Sequence, residues 1–147
     1  MKLAISLSSL TSEILAQSAL RFRLDGRRPA LLTPDQRPAI ARIALSGFSF
    51  LLLPIARYLT DCCIPEVDAD GVPTDDILWF EADIPANVAI PLRLLVEHAL
   101  TAFVNRDAWT TLNPAIADLY DADLRRLQTS IASLLTTAAP ARLRPCY

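Results

Sequence analysis

The chain has few of the residues that most often carry chemistry. Its 147 residues include three glycines (Gly26, Gly47, Gly71), one histidine (His98), one lysine (Lys2) and three cysteines (Cys62, Cys63, Cys146). Each scarcity removes a class of function. Phosphate-cradling loops need clustered glycines so that backbone N–H groups can reach the anion, and three isolated glycines make neither a dinucleotide fingerprint nor a P-loop. Nucleophilic catalysis needs a nucleophile, a base and an orienting group. His98 stands beside Glu97 in a helical stretch, and no strand–turn–helix serine elbow accompanies it. Adjacent Cys62 and Cys63, with no nearby histidine or second pair, do not complete a zinc set. Nor do three cysteines build a disulfide framework, so a reduced intracellular protein is expected. The reading is a non-enzymatic chain with no catalytic residue, no cofactor and no metal.

Charge of one sign is lacking too. The formal net charge is −2, which provides no electrostatic reason for a nucleic-acid partner or an acidic membrane. Lys2 and the stretch Leu3 to Leu10 faintly resemble a secretory leader, but Ser6, Ser8 and Ser9 break the apolar part and Glu13 follows. A cytoplasmic or virion-associated location is the expectation.

What the chain has is apolar helix. Ile43 to Ala56 is a run of fourteen residues without a charge, bracketed by Arg42 and Arg57. Thr33-Pro34-Asp35-Gln36 ahead of it is a capping-box signature and predicts a helix over 34–61. A membrane span needs about 20 predominantly apolar residues. Reaching that length takes in Arg42 or Arg57, and Gly47 and Pro54 lie inside the run. The helix therefore reads as the buried post of a soluble bundle, with no membrane expected, kinked at Pro54 and ending at the cysteine pair.

Three further helices have amphipathic patterns. Leu10, Ile14, Leu15, Ala19, Leu20 and Phe22 predict the face of a helix over 9–24, with Gly26 as its stop. Val88, Leu92, Leu95, Val96, Leu100, Phe103 and Val104 supply the face of a helix over 87–112, capped by Asn87 with Pro91 in its first turn. Asn113-Pro114 opens a fourth, over 114–135. Its seam of Ile116, Tyr120, Leu124, Leu127, Ile131 and Leu134 suits packing on one neighbour. On its outer face, Asp121 stands four residues before Arg125 and Asp123 three before Arg126, both spaced for helix ion pairs. Ile77 to Ile84 reads as an aromatic strand stopped by Pro85. Its partner is either the segment near Ile64 to Val67 or the N-terminus, where Leu3, Ile5 and Leu7 alternate. The expected fold is mainly α, a four-helix bundle-like domain with a short β-ribbon between helices 2 and 3. Residues 1–135 form one domain, and 136–147 a flexible tail ordered only if a partner holds it.

Asp61 to Asp83 carries eight carboxylates and no Lys or Arg. Glu66-Val67-Asp68-Ala69-Asp70-Gly71 is like the first half of a calcium loop, but Pro73 and Ile77 occupy positions that a calcium loop could not give them. A different use is contact between copies. Asp68, Asp70, Asp75 and Asp76, with Trp79 on the adjoining strand, can face the patch Arg21, Arg23, Arg27 and Arg28 of a neighbouring copy. Such a heterologous contact closes into a ring of identical subunits if the rotation permits. Within one chain, the same arginines also suit a helix C-terminus and a solvated loop.

The second half has a characteristic order of parts: the strand, then Pro85-Ala86-Asn87-Val88 into a long apolar helix ending Phe103-Val104-Asn105-Arg106-Asp107-Ala108-Trp109, then Asn113-Pro114 and a final helix with Ala117, Tyr120 and Leu124. Over residues 77–135 this resembles small structural proteins of tailed-phage and prophage clusters, of the head–tail connector or neck kind. The resemblance implies a helical body with a β-ribbon, assembled into a ring and joined to other structural proteins, and it implies no catalytic residues. The alternative expectation is a small helical binding or regulatory module that holds a partner helix or an apolar ligand.

Overall fold

The computed structural model describes residues 2–25, 34–110 and 113–138. In chain order the elements are β1 (Lys2–Ser6), α1 (Leu7–Asp25), α2 (Arg37–Leu52), β2 (Leu59–Cys63), β3 (Ile77–Ala82), α3 (Ala86–Trp109) and α4 (Pro114–Ala138). Short 3₁₀ turns, Pro34–Gln36 and Leu53–Tyr58, flank α2. The fold is mainly helical with one three-stranded antiparallel sheet in the order β1-β3-β2.

The sheet is a layer of the core. Leu3 and Ile5 of β1 and Leu78, Phe80 and Ala82 of β3 alternate inward and are buried, as a period-two pattern requires when one face is covered. They join Ile40, Ala44, Phe48, Leu51 and Leu52 of α2 and Leu92, Val96, Ala99, Leu100 and Phe103 of α3 in one cluster. The Phe48 and Phe80 rings, tilted at 53° with centroids 6.1 Å apart, tie α2 to β3. Gly47 lets α2 approach α3 closely. A Cβ there would stand 2.6 Å from Phe103 Cδ1 and 3.0 Å from Leu100 Cδ1.

The helix expected over 34–61 is instead three elements. Pro54 has no N–H to donate and its ring collides with the preceding turn, so the α-helix stops at Leu52. The chain tightens into 3₁₀, and Leu59 turns extended at φ −93°, ψ 143°. Cys62 and Cys63 consequently lie exposed on β2 rather than at the end of a buried helix. The N-terminus is indeed a partner of the 77–84 strand. The other partner is 59–63, not 64–67, which makes the ribbon a three-stranded sheet. Thr33, the expected hydroxyl cap of the second helix, lies outside the described residues.

The remaining helices follow their patterns with local corrections. On α1 the buried positions are Leu7, Leu10, Thr11, Ile14 and Ser18. Ala19 and Leu20 face outward, Leu20 at 58% exposure. The entry to α3 is capped at Pro85 without a side-chain bond, so Asn87 is a helical residue and Pro91 lies inside the helix, beyond its first turn. On α4, Asn113 does cap: its Oδ1 accepts from Ala115 N at 3.2 Å, and its carbonyl accepts from Ile116 N and Ala117 N. The α4 seam packs against α3 in the most extensive contact between two elements, with Ile116, Leu124, Leu127 and Ile131 buried and Tyr120 and Leu134 partly so. Both spaced ion pairs form, Asp121–Arg125 at 3.1 Å and Asp123–Arg126 at 3.4 Å, and Arg106 reaches across from α3 to Asp121 at 3.2 Å.

By length and composition alone, Arg37–Tyr58 and Ala86–Trp109 could each cross a membrane. The first contains only 16 residues of α-helix, a rise of about 24 Å against a hydrocarbon core of about 30 Å.

Candidate functional site

The segment from Leu59 to Glu81 holds β2, the acidic loop and most of β3. It begins with β2, whose outer side is an edge of the sheet among the described residues, and an edge presents backbone groups able to pair with another strand. Between β2 and the end of α2 runs an open groove of about 400 Å³, lined by Leu52, Leu53, Ala56, Leu59, Cys62 and Ile64 among others. Leu53 on its wall is 78% exposed.

On the outer face of the sheet, Asp61 stands opposite Glu81, and Glu81 opposite Lys2 on its other side. Like charges facing each other across strands are unfavourable; Asp61 and Glu81 are such a pair at the open edge. Trp79 is half-buried on this face, with the Lys2 ammonium 4.0 Å from its ring centroid. That geometry suits a cation–π contact.

The acidic loop that follows is braced from within. Asp68 Oδ1 accepts from Asp70 N and Val72 N, both at 2.9 Å, while Asp68 N donates to Val72 O. Gly71 turns the tip at φ 80°, where any side chain would be strained. Thr74 N and its hydroxyl both donate to Glu66 O, and Asp75 Oδ1 accepts from Ile77 N at 3.3 Å. Asp68 is therefore aimed at backbone donors rather than outward. Among the described residues no group of three or more Asp, Glu, His or Cys is placed to hold a metal ion.

Asp76 has a separate task. Its Oδ1 accepts from Ser8 N at 2.9 Å, its Oδ2 accepts from the Ser6 hydroxyl at 2.7 Å and the Ser8 hydroxyl at 3.0 Å, and its carbonyl accepts from Leu7 N at 2.7 Å. It is an N-cap for α1 supplied from 68 residues away in sequence. The hydrogen bond from Ser6 is the main reason its carboxyl lies below the usual value, Ser8 adding to it and partial burial opposing. The first turn of α1 has no acidic residue of its own. That gap, beside Ser6 and Ser8, is the signal from which a distant cap could have been sought.

Of the residues expected at a subunit contact, Asp68, Asp70, Asp75 and Asp76 lie between β2 and β3 and Trp79 on β3, with Asp68, Asp75 and Asp76 holding local structure. Arg21 and Arg23 fall on the last turns of α1; Arg27 and Arg28 lie outside the described residues. The edge of β2 and its groove were not legible before the helix was seen to break at Pro54. On α2, Phe48 and Leu52 are buried and Phe50 is 46% exposed, its ring tilted at 41° to that of Phe103 with centroids 5.3 Å apart. His98 is exposed on α3 beside the Arg93–Glu97 pair. No family model, no curated protein and no solved structure matches the chain.

Proposed function

We propose that the chain is a non-enzymatic structural subunit that associates with copies of itself, of the kind found in tailed-phage head–tail connectors. The observation that carries the reading is the acidic loop. Asp61 on β2 and Glu66, Asp70 and Asp75 on the loop after it make no ion pair among the described residues, yet that loop is held in a fixed shape by its own hydrogen bonds. A shaped surface of one sign favours a partner of the other. The arginines at and beyond the end of α1 supply that sign on the same chain, so a second copy satisfies both surfaces at once. Exposed Phe50 adds apolar area to what such a contact could cover.

Sedimentation or light scattering across a salt series tests this reading. Multiples of the protomer mass are expected at low salt, falling as ionic strength shortens the screening length. A monomer at high concentration in low salt overturns it. The groove beside β2 favours the second reading, a module that receives an extended or apolar ligand, and co-purification of a bound partner would support that in place of self-assembly.

A further inference from the structure

We propose that β2 pairs antiparallel with β2 of a second copy about a two-fold axis at Cys62, joining the two three-stranded sheets into one. The proposal rests on the reading that the chain associates with copies of itself. It names a contact other than that between the acidic loop and the α1 arginines.

Three observations support it. The first is the edge. Among the described residues β2 has β3 on one side and no strand on the other, and Thr60 to Cys63 are exposed. Such a strand is a template for another. The groove beside it has Leu53 on its wall, 78% exposed. Antiparallel pairing about a two-fold axis sets the grooves of both copies side by side on one face of the joined sheet, so a single contact brings two apolar surfaces together.

The second is the distribution of charge along the strand. Arg57 stands just before β2 and makes no ion pair among the described residues. Its guanidinium meets the neighbouring Tyr58, whose hydroxyl accepts from Nη2 at 2.9 Å. Glu66 stands just after β2, at the start of the acidic loop, and is likewise without an ion pair among the described residues. With a cation at one end and an anion at the other, antiparallel pairing brings each Arg57 to the Glu66 end of the other copy, twice by symmetry. Parallel pairing would set like against like.

The third is register. Keeping both grooves on one face requires an axis at a residue, because a one-residue slip turns every side chain to the other face. An axis at Asp61 would place two carboxylates directly opposite each other, which is unfavourable. An axis at Cys63 would bring Pro65, which has no N–H, opposite Asp61. At Cys62 neither conflict arises: Asp61 stands opposite Cys63 of the other copy, and Thr60 opposite Ile64. Cys62 then faces Cys62. Residues directly opposite have Cα atoms about 4.5–5.5 Å apart, within the span of a disulfide, whereas the two Cys63 are offset by two residues and fall beyond it. Both cysteines are free and exposed.

Sedimentation of the full chain at low salt tests the proposal with Arg57→Glu, Glu66→Arg and the double variant. Each single reversal is expected to raise the dissociation constant of the contact about tenfold, and the double reversal to restore it. Unchanged helical circular dichroism verifies that the fold is intact. In a Cys146→Ser background, diamide, which takes up the two electrons and two protons of a thiol pair, is expected to link two chains. Cys63→Ser should leave that covalent dimer in place and Cys62→Ser should abolish it. Association that weakens in Glu66→Arg without rescue by Arg57→Glu, or that is unchanged in every variant, overturns this contact while leaving self-association standing. So does a covalent dimer that survives Cys62→Ser. A natural chain that is monomeric at low salt overturns both readings.

Discussion

The α3–α4 pair and the β2–β3 segment are held together by different means. Along α3 and α4 an apolar seam is flanked by charges that find partners on the same pair of helices: Arg93 with Glu97, Arg106 with Asp107 and Asp121, Arg125 with Asp121, Arg126 with Asp123. From Leu59 to Glu81 the charges are all negative, and side-chain oxygens are directed to backbone N–H groups and hydroxyls instead. The first arrangement closes electrostatically on itself. Among the described residues the second leaves net negative charge, an unpaired strand edge and an apolar groove. The Arg42 side chain lies against Gly71 at the loop tip, while Asp61, Glu66, Asp70 and Asp75 make no ion pair among the described residues, and a partner of opposite charge has most to offer there.

Four substitutions would break or sharpen that contrast. The largest effect is expected at Phe80, fully buried and tilted against Phe48 where the sheet meets α2. Phe80→Ala should lose about 3–5 kcal/mol of unfolding free energy in urea titration, from lost burial and the cavity left behind. A loss below about 1 kcal/mol would mean that the sheet is not part of the common core, and the two regions would have to be treated as separate units.

An intermediate effect is expected at Asp76. Asp76→Ala removes one of two caps of α1, the other being Ser6 Oγ, which accepts from Ser9 N at 3.3 Å, and should cost about 1 kcal/mol. Its pH dependence has a definite sign. The folded carboxyl lies below its ordinary 3.8 because Ser6 and Ser8 donate to the ionised form. The stabilisation is therefore complete above the ordinary value and is lost as pH falls through the folded one. The gap in stability between natural chain and variant should stay constant above about pH 5 and close on acidification. A gap that widens in acid would contradict the geometry.

The smallest effects separate the two regions most directly. Asp121 pairs with arginines on both helices at 3.1 and 3.2 Å and is partly shielded, so Asp121→Ala should cost up to about 1 kcal/mol, less at high salt. Asp70→Ala on the loop should leave thermal stability within about 0.5 kcal/mol. If the proposed self-association holds, it should nonetheless reduce the low-salt assembly. Equal stability losses for the two variants would erase the distinction between compensated and uncompensated charge.

The α3–α4 pair was readable because its information is local. Asn113-Pro114 starts a helix by its own chemistry, and a seam stepping by three and four places one stripe toward one neighbour whatever the rest of the chain does. The spaced pairs Asp121–Arg125 and Asp123–Arg126 form for the same reason. The second helix misled because a long apolar run is compatible with helix, 3₁₀ turn and strand alike. Pro54 marked a disturbance, but a proline can kink a helix or end it, and the choice depended on whether 59–63 had a strand to join.

β3 provides that strand, between β1 and β2, through pairings that link residues some 20 and 75 positions apart. Local propensity does not encode such pairing. The same holds for Asp76, which reads in sequence as one more carboxylate of an acidic block and becomes the cap of a helix 68 residues earlier once β3 has been laid beside β1. Composition and periodicity determined that the chain is mainly helical, where its last helix begins, and that negative charge gathers between Asp61 and Asp83. Tertiary structure alone settled which carboxylates hold the fold, and that β2 is an edge strand beside a groove among the described residues. Each of these depends on which backbone donors and which strands arrive from distant parts of the chain.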